Sequence, residues 1–337
     1  SSQPPIRLTS ALESIAGQEN KMNLKEMRDN ARALAKGSCR VCPVCDGRAC
    51  AGEVPGMGGC GSGVSFRNNV AALAAISLNT RLIHGVRHPV LAKNILGFDL
   101  ALPLLVGPVG GLAFNLSAAM EESAYQEAIS EGAARAGIVA GLPDAVPPEV
   151  MRIGLACAKK QQGRGIPFVK PWEPKDFEAK IEMCPQAGCK VVACDLDSIG
   201  LITLRQMGHP AYAQENTELA AMLDMAHRPT MNHTIQGIMT PEDATAAVEA
   251  GADGLVVSNH GGRVLDSAPG TAEVLEEVAV AVKDRTCLMV DGGIRSGVDI
   301  LKMLALGADA VFIGRPLTIA AVGGGAEGVE LLISAYK

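Results

Sequence analysis

What this sequence lacks already narrows its function. It holds no dense run of lysine or arginine, and its formal net charge at pH 7 is −6, which does not favour nucleic acid or an anionic membrane as a partner. It shows no apolar run long enough to cross a bilayer, and the first residues, SSQPPIRLTS, lack the charged and apolar regions of a secretory signal. We therefore expect a cytoplasmic protein without a membrane span that acts on a small molecule.

The composition is that of a globular chain with a large core. Of the 337 residues, 48% are hydrophobic and 20% are charged, which excludes a disordered or fibrous protein. Ten cysteines occur in this long chain without an export signal. That pattern favours reduced thiols or metal ligands over disulfides.

From about Leu100 onward, short apolar runs alternate with longer helical patterns. Eight of these runs have the length and composition of buried strands. They are LPLLVG at 102–107, GIVAG at 137–141, IPFVK at 166–170, KVVACD at 190–195, HTIQG at 233–237, GLVVSN at 254–259, CLMVDG at 287–292 and AVFIG at 310–314.

Eight successive βα units predict a TIM (β/α)8 barrel. A doubly wound α/β sheet is the competing architecture, but it rarely needs eight consecutive parallel strands, and a barrel of about 250 residues fits the available length. One intervening helix has a clear start, because Thr240 and Asp243 form a variant capping box before an apolar face. We predict one barrel over residues 101–337, although length alone would suggest two domains.

Residues 1–100 form an N-terminal extension without this alternation. Helical patterns occur near 23–36 and 67–76, and between them lies the Cys/Gly-rich stretch CRVCPVCDGRACAGEVPGMGGCGSG, which predicts a loop. Such a segment can close the bottom of a barrel or lie over its mouth. The sequence does not choose between the two positions.

Glycine-rich turns follow the last two predicted strands, at VDGGIRSG (290–297) and FIGRP (312–316). Loops at this place in a barrel commonly expose backbone N–H groups that bind phosphate. Arg295 and Arg315 add positive charge. Either loop alone is equally consistent with a tight turn, but the two together indicate a phosphate site.

The sixth predicted strand runs into SNHGGRVLD, which places His260 and Arg263 three residues apart at the end of a buried strand. Together with DGGIRSGVDILKMLALGADAVFIGRP and GIMTPEDA, this motif resembles the FMN-dependent α-hydroxy-acid oxidising family, which includes glycolate oxidase, lactate oxidase and flavocytochrome lactate dehydrogenase. The resemblance covers about Gly56 to Gly325. It implies an FMN-binding enzyme that oxidises a small 2-hydroxy acid.

In that family the histidine of this motif is the base and its arginine holds the substrate carboxylate, which implies these roles for His260 and Arg263. Asp195 matches the aspartate that orients the histidine. The chemistry agrees, since a guanidinium can hold a carboxylate with two parallel hydrogen bonds and an imidazole accepts a proton near neutral pH.

The resemblance also implies a set of FMN-binding residues. They are Pro108, Val109, Gly110, Lys170, Gln236, Ser258, Asp291, Gly292, Gly293, Arg295, Gly314 and Arg315. Lys170 and Trp172 stand where the family usually has a glutamine and a tyrosine. Lys170 would hydrogen-bond the flavin pyrimidine, although a solvated lysine at a strand end is the alternative.

Other positions depart from the family pattern. Gln236 stands in place of a lysine that neutralises charge at the flavin N1–O2 edge. Ile202 lies near the position of a second active-site arginine, with Arg205 beyond it, and the N-terminal active-site tyrosine has no counterpart. Alternatives are therefore an FMN-dependent isomerase of the isopentenyl-diphosphate type, which does not need the HGGR pair, and a non-catalytic flavin-binding protein. We expect a homo-oligomer, and the electron acceptor stays open.

Cys39, Cys42, Cys45 and Cys50 are spaced C-x2-C-x2-C-x4-C, with Cys60 ten residues further on. Thiolates at such short intervals can bind an iron–sulfur cluster or zinc. Packing of small reduced side chains in a glycine-rich loop explains the motif equally well. These four cysteines are the best metal-site candidate in the chain.

Overall fold

The computed structural model describes residues 22–209, 211, 219–223 and 231–337. Eight parallel strands close into a barrel, which confirms the predicted TIM barrel and all eight strand predictions. A two-stranded antiparallel hairpin, β1 and β2, precedes them. The strands are β1 Lys93–Ile95, β2 Phe98–Leu100, β3 Leu104–Val106, β4 Val139–Pro143, β5 Ile166–Val169, β6 Val191–Asp195, β7 Asn232–Ile238, β8 Gly254–Val257, β9 Cys287–Val290 and β10 Ala310–Ile313.

Most of the barrel strands are continuous apolar runs because both of their faces are buried, whereas β7 also carries the buried polar residues His233, Thr234 and Gln236. β3 pairs with β10 to close the ring. Inside the ring, Phe168 and Phe312 meet edge to face, with ring centroids 5.5 Å apart. The interior is therefore a packed core, and the space for a ligand lies at the ends of the strands.

Helices surround the barrel, and several begin at side-chain caps. The N-cap Asn23 accepts backbone hydrogen bonds and pairs with Glu26 in a capping box, and Thr240 accepts one from the N–H of Asp243, as its position in the sequence predicted. The helices with both ends described are α1 Leu24–Leu34, α2 Val64–Ala75, α3 Leu112–Asn115, α4 Glu122–Arg135, α5 Pro148–Lys160, α6 Pro174–Gln186, α7 Ile202–Gln206, α8 Pro241–Glu249, α9 Thr271–Val282, α10 Gly297–Ala305 and α11 Arg315–Tyr336, with a 3-10 turn at Leu196–Gly200.

The N-terminal extension occupies both ends of the barrel. Its Cys/Gly-rich part lies over the mouth, where the N–H of Cys60 donates to the carbonyl of Gly262 (2.9 Å) and the N–H of Ser62 donates to Asp266 (2.6 Å). The β1–β2 hairpin closes the opposite end, where the side chain of Asn232 donates to the carbonyl of Leu96. The extension therefore both closes the bottom of the barrel and lies over its mouth, the two positions that the sequence left open.

The last helix, α11, is by length and composition long and apolar enough to cross a membrane, contrary to the expectation that no such run exists. About half of its most apolar stretch is buried inside the protein. It packs against α4 and α1, and Gly325 interrupts its helical backbone with φ of 58°. The absence of a membrane span stays a prediction. So does the cytoplasmic location, because residues 1–10, on which it rests, lie outside the described residues.

Candidate active site

A cavity of about 430 Å³ opens at the carboxyl ends of the barrel strands. Its wall includes His260, Arg263 and all the predicted cofactor residues except Ser258. Ser258 lies behind the wall, where its hydroxyl donates to Asp291 (2.9 Å) and accepts the N–H of His260 (3.0 Å). Asp195 also lies behind the wall, in contact with residues that line it.

The loop after β8 makes a left-handed turn that presents His260. Three consecutive residues have positive φ: His260 (53°), Gly261 (61°) and Gly262 (78°). A side chain at Gly261 would collide with Arg315, and one at Gly262 with the backbone of Phe66. The glycines after the histidine are therefore required by close packing as well as by φ. A histidine in this region costs on the order of 1–3 kcal/mol of strain, which is common where a side chain must be aimed.

His260 faces two carboxylates through one ring nitrogen. Its Nδ1 lies 3.0 Å from Asp197 Oδ1 and 3.4 Å from Asp195 Oδ1. Burial alone would lower the pKa of His260, but the two aspartates outweigh it and raise this pKa to about 10. Since Nδ1 donates its proton to a carboxylate, Nε2 is the nitrogen left to exchange a proton with a ligand.

Asp195 is shared among three side chains. Lys170, directly after β5, places Nζ 2.7 Å from Asp195 Oδ2, and the Gln236 amide on β7 donates to Asp195 Oδ1 (3.3 Å). Burial would raise the pKa of Asp195, but Lys170 and His260 hold it well below its usual range. Asp195 is thus a buried carboxylate paired with a lysine, and it approaches His260 without making its shortest contact.

Arg263 is fixed in the cavity wall by neutral oxygens. Its Nη1 donates to the carbonyl oxygens of Gly56 and Gly58, and its Nη2 donates to Asn115 Oδ1 (2.9 Å). We call Gly56–Gly58 the carbonyl strap. These bonds leave N–H groups on Nε and Nη2 for a ligand.

Arg315 is held by the same strap. It donates to the carbonyls of Met57 (2.8 Å) and Gly58 (3.1 Å), and its guanidinium lies 4.1 Å from the Phe66 ring centroid. Arg295 lies 5.7 Å from the same centroid. The guanidinium groups of Arg295 and Arg315 therefore both lie against the same aromatic ring.

Three arginines, Arg263, Arg295 and Arg315, line the cavity, and within the described ranges none of them pairs with a carboxylate. Burial lowers the pKa of Arg263 to about 10 and, together with the other two arginines, that of Arg315 to about 9. All three side chains are half-buried, and cations partly withdrawn from water are costly unless an anion joins them. The site is therefore electrostatically suited to ligands with several negative charges.

A model of the FMN-dependent dehydrogenase family matches residues 56–234 and 213–337, which together include the whole barrel. The chain belongs to this family. The expectation of an FMN-dependent oxidoreductase is confirmed.

Other FMN-dependent dehydrogenases and oxidases resemble the chain over most of its length. It is 29% identical to an L-lactate oxidase of Lactobacillus jensenii over 304 residues, which is 80% of this chain and 71% of the relative. It is 28% identical to glycolate oxidase 5 of Oryza sativa subsp. japonica over 313 residues, 81% of each protein. A crystal structure of mandelate oxidase with 3,3-difluoro-2-hydroxy-3-phenylpropionic acid superimposes with a TM-score of 0.71 at 26% identity, covering 93% of this chain and 90% of that one.

The cavity wall fits FMN. α11 begins at Arg315 without a side-chain cap, so its N-terminal N–H groups can meet a phosphate beside Arg295 and Arg315. The buried Asp291 Oδ1 has no hydrogen-bond partner in the described part of the chain, which suits a ligand hydroxyl group. A phosphate monoester carries up to about two negative charges and a substrate carboxylate adds one, which would compensate the three arginines.

Some residues near the site were not singled out from the sequence. Asp197, which makes the shortest contact to His260, lies two residues beyond the predicted aspartate, in the 3-10 turn. The only feature of the sequence that points to Asp197 is that it is a second carboxylate directly after a buried strand. The cavity also has apolar walls from the loops and helices that follow β3, β4 and β6, namely Phe114, Val146, Ile153, Leu201, Leu204 and Met207.

Two predicted departures are seen at the site. Arg205 is exposed, donates to the carbonyl of Ile199 and does not line the cavity. The segment after β6 contributes Leu201 and Leu204 to the wall instead. Trp172 is not part of the wall, since its indole N–H donates to Asp144 (2.6 Å).

The four cysteines of the predicted metal site are half-buried and free, in the loop over the mouth. Cys45 touches the site, since Arg295 donates to its carbonyl (3.2 Å) and approaches its Sγ (3.6 Å). Among the described residues, the one set of three or more potential ligand atoms within 4.8 Å of one another is Asp195, Asp197 and His260. Zinc binds sulfur at about 2.3 Å, so two of its sulfur ligands lie at most about 4.6 Å apart. The cysteines therefore do not form a zinc site in this arrangement, and an iron–sulfur cluster stays a prediction.

Proposed function

We propose that this protein oxidises a 2-hydroxy acid to the corresponding 2-oxo acid, with FMN as the first electron acceptor. The observation that carries the proposal is the placement of Arg263 and His260 on one turn that faces the FMN cavity. Among the described residues Arg263 has no carboxylate partner, and the Nδ1 of His260 is held by carboxylates. A 2-hydroxy acid offers the matching pair, a carboxylate and a hydroxyl group on adjacent carbons.

Arg263 binds the substrate carboxylate in this proposal. Its remaining N–H groups on Nε and Nη2 would donate to the two carboxylate oxygens, and such paired bonds fix orientation as well as charge. The carbonyl strap and Asn115 hold the guanidinium still while it does so. The substrate is thereby positioned with its hydroxyl group towards the neighbouring histidine.

His260 Nε2 accepts the hydroxyl proton as the α-hydrogen leaves. Bound FMN supplies the acceptor for that hydrogen and its electron pair. The resulting imidazolium is stabilised by Asp195 and Asp197, so the proton stays on the ring until the 2-oxo acid has formed.

The substrate side chain is apolar in this proposal. Part of the cavity wall lies outside the residues predicted to contact FMN or the substrate carboxylate. This part is formed by Phe114, Val146, Ile153, Leu201 and Leu204. Burial of a substrate hydrocarbon against such a wall contributes about 25 cal/mol per Å² of apolar surface. A polar or very small side chain would gain little there.

Anaerobic flavin reduction tests the proposal directly. Purified FMN-loaded protein is mixed, without oxygen, with glycolate, lactate, 2-hydroxyisocaproate and mandelate, and loss of the flavin absorbance band is followed. Bleaching is expected, fastest with the larger apolar acids. Full FMN occupancy without bleaching by any 2-hydroxy acid would contradict the proposed activity and favour the isomerase or the non-catalytic alternative. Bleaching only by glycolate would contradict the assignment of an apolar side chain.

A further inference from the structure

The loop over the mouth of the barrel holds four cysteines that the proposed oxidation does not use. They are Cys39, Cys42, Cys45 and Cys50, all of them free and half-buried. Small apolar side chains could pack in such a loop without the reactivity of a thiol. Packing alone does not require sulfur at these positions, so the contacts of the four cysteines decide their role.

An ion pair closes this loop and brings its two ends together. Arg40 Nη1 and Nη2 donate to the two carboxylate oxygens of Glu53 at 2.6 and 2.7 Å. The N–H of Glu53 donates in turn to the carbonyl of Cys50 (3.2 Å). The last of the four cysteines is therefore held beside the segment that carries the first three.

The turn between the first two cysteines is strained and firmly held. Val41 has φ of 44°, which a β-branched residue rarely adopts, and its side chain is buried. Its carbonyl accepts hydrogen bonds from Arg32 (2.9 Å) and Arg28 (3.4 Å), and Arg28 also donates to the carbonyl of Cys42. Backbone strain of this kind occurs where side chains must be kept in one arrangement.

The four thiols lie close enough to influence one another's protonation. Burial raises the pKa of Cys39, and the nearby thiols of Cys45 and Cys42 raise it further. Burial also raises the pKa of Cys50, again with contributions from Cys45 and Cys39. Because neighbouring thiolates repel each other, all four can ionise together only when a cation joins them.

Arginine side chains place positive charge beside these thiols. Arg295 approaches Cys45 Sγ at 3.6 Å and donates to the carbonyl of the same residue (3.2 Å). Arg315 opposes the effect of burial, since it lowers the pKa of Cys39 and of Cys50. An iron–sulfur cluster bound by four thiolates carries a net negative charge. The two arginines would compensate that charge.

The separation of the sulfur atoms favours a cluster over a single ion. No three of the four sulfur atoms all lie within 4.8 Å of one another, which is too far apart for the ligands of one zinc ion. The cysteine ligands of a [4Fe–4S] cluster lie further apart than those of zinc, because each binds a different iron. The C-x2-C-x2-C spacing is also that of the cluster-binding run in bacterial ferredoxins.

We propose that Cys39, Cys42, Cys45 and Cys50 bind a [4Fe–4S] cluster over the mouth of the barrel, beside two of the arginines that line the FMN cavity. Each thiol loses its proton to water and forms one bond to one iron of the cluster. No electron is transferred in this step. The site does not depend on the identity of the substrate.

Cys60 lies in the same loop but is not a ligand. It is buried, and its N–H donates to the carbonyl of Gly262 (2.9 Å). Burial raises its pKa, and the charged groups of the described residues that also act on it are Asp266 and Arg263, not the four thiols. Cys60→Ala is therefore a matched control for Cys42→Ala.

Reconstitution without oxygen tests the proposal. The FMN-loaded protein is incubated with ferrous iron and sulfide, desalted and assayed. We expect about four irons and four sulfides per chain, and an EPR signal of a reduced cluster at low temperature after addition of dithionite. Cys42→Ala should lose at least half of the iron and the signal, whereas Cys60→Ala should keep both. Circular dichroism verifies that each variant is folded.

Mössbauer spectroscopy of the unmodified protein, reconstituted with isotopically enriched iron, gives a second measurement that needs no variant. Iron bound as isolated ions, or stoichiometric zinc in place of iron, would overturn the proposal. So would a Cys60→Ala variant that loses as much iron as Cys42→Ala does. None of these measurements uses a 2-hydroxy acid, so they decide the cluster site whether or not the proposed oxidation is found.

Discussion

Arg263 Nη2 donates to Asn115 Oδ1 at 2.9 Å, which joins the loop after β8 to the short helix after β3 across the mouth of the barrel. The contact holds the proposed carboxylate-binding group by a neutral amide. The positive charge of Arg263 is therefore left for a ligand.

Loss of the proposed base should separate FMN binding from catalysis. We expect His260→Ala to retain FMN, because the predicted phosphate contacts come from other loops. The same variant should slow substrate-driven flavin reduction by a factor on the order of a hundred or more, as for removal of a general base. Stopped-flow absorbance measures this rate. An unchanged rate would rule out His260 as the base.

Arg263→Lys should weaken substrate binding although it preserves the charge. An ammonium group cannot make the two parallel hydrogen bonds of a guanidinium, nor can it contact the strap and Asn115 together. The dissociation constant of a 2-hydroxy acid, taken from the concentration dependence of flavin reduction, should rise by about tenfold or more. Arg152→Lys, at an exposed ion pair on α5, is the control. Unaltered affinity in Arg263→Lys would mean that the carboxylate binds elsewhere.

Gln236→Lys should raise the midpoint potential of the flavin. A cation at this position lies in the cavity wall and favours the more negative, reduced cofactor. Gln236→Met, of similar length and without charge, should leave the potential close to that of the unmodified protein. Spectroscopic redox titration compares the three proteins. A potential that stays constant or falls in Gln236→Lys would argue against placing residue 236 beside the flavin.

The rate of flavin reduction should rise with pH from neutrality towards pH 10. The carboxylates raise the pKa of His260 to about 10, so the ring is mostly protonated at pH 7 and cannot accept the substrate proton. As pH rises through this pKa the neutral base becomes available and the rate increases. Reduction by dithionite, which needs no base, serves as the control. A substrate-driven rate that is constant between pH 7 and 10 would contradict the assignment.

Metal analysis decides the role of the four cysteines. Their arrangement does not form a zinc site, so we expect any bound metal to be iron accompanied by acid-labile sulfide. Protein purified without oxygen is assayed for FMN, iron, sulfide and zinc. Full FMN occupancy with substoichiometric amounts of every metal would eliminate the metal site and leave Cys39, Cys42, Cys45 and Cys50 as packing or redox-active thiols.

The barrel was predictable because its signals are local. Most of the barrel strands are short apolar runs because both of their faces are buried, and each is followed by a helical pattern, so all eight could be placed from the sequence. The β1–β2 hairpin was missed because its strands have three residues each and, unlike the equally short β3, mix apolar with polar residues. Periodicity needs several repeats before it differs from chance.

The details of the site were less predictable because they depend on contacts distant in sequence. His260 meets Asp197 across 63 positions, and a bare D-x-D spacing does not say which carboxylate will reach the ring. Arg263 meets Gly56 across 207 positions through a backbone carbonyl, which leaves no side-chain signature at all. The position of the Cys/Gly-rich loop over the mouth could therefore not be chosen from composition.

The carbonyl strap accepts hydrogen bonds from both Arg263 and Arg315, and the carbonyl of Gly58 accepts from both. A local opening of Gly56–Gly58 would therefore free the two guanidinium groups from these backbone contacts in a single event. The amide of Gly58, which donates to the carbonyl of Glu53 (3.2 Å), reports the frequency of that event by hydrogen exchange.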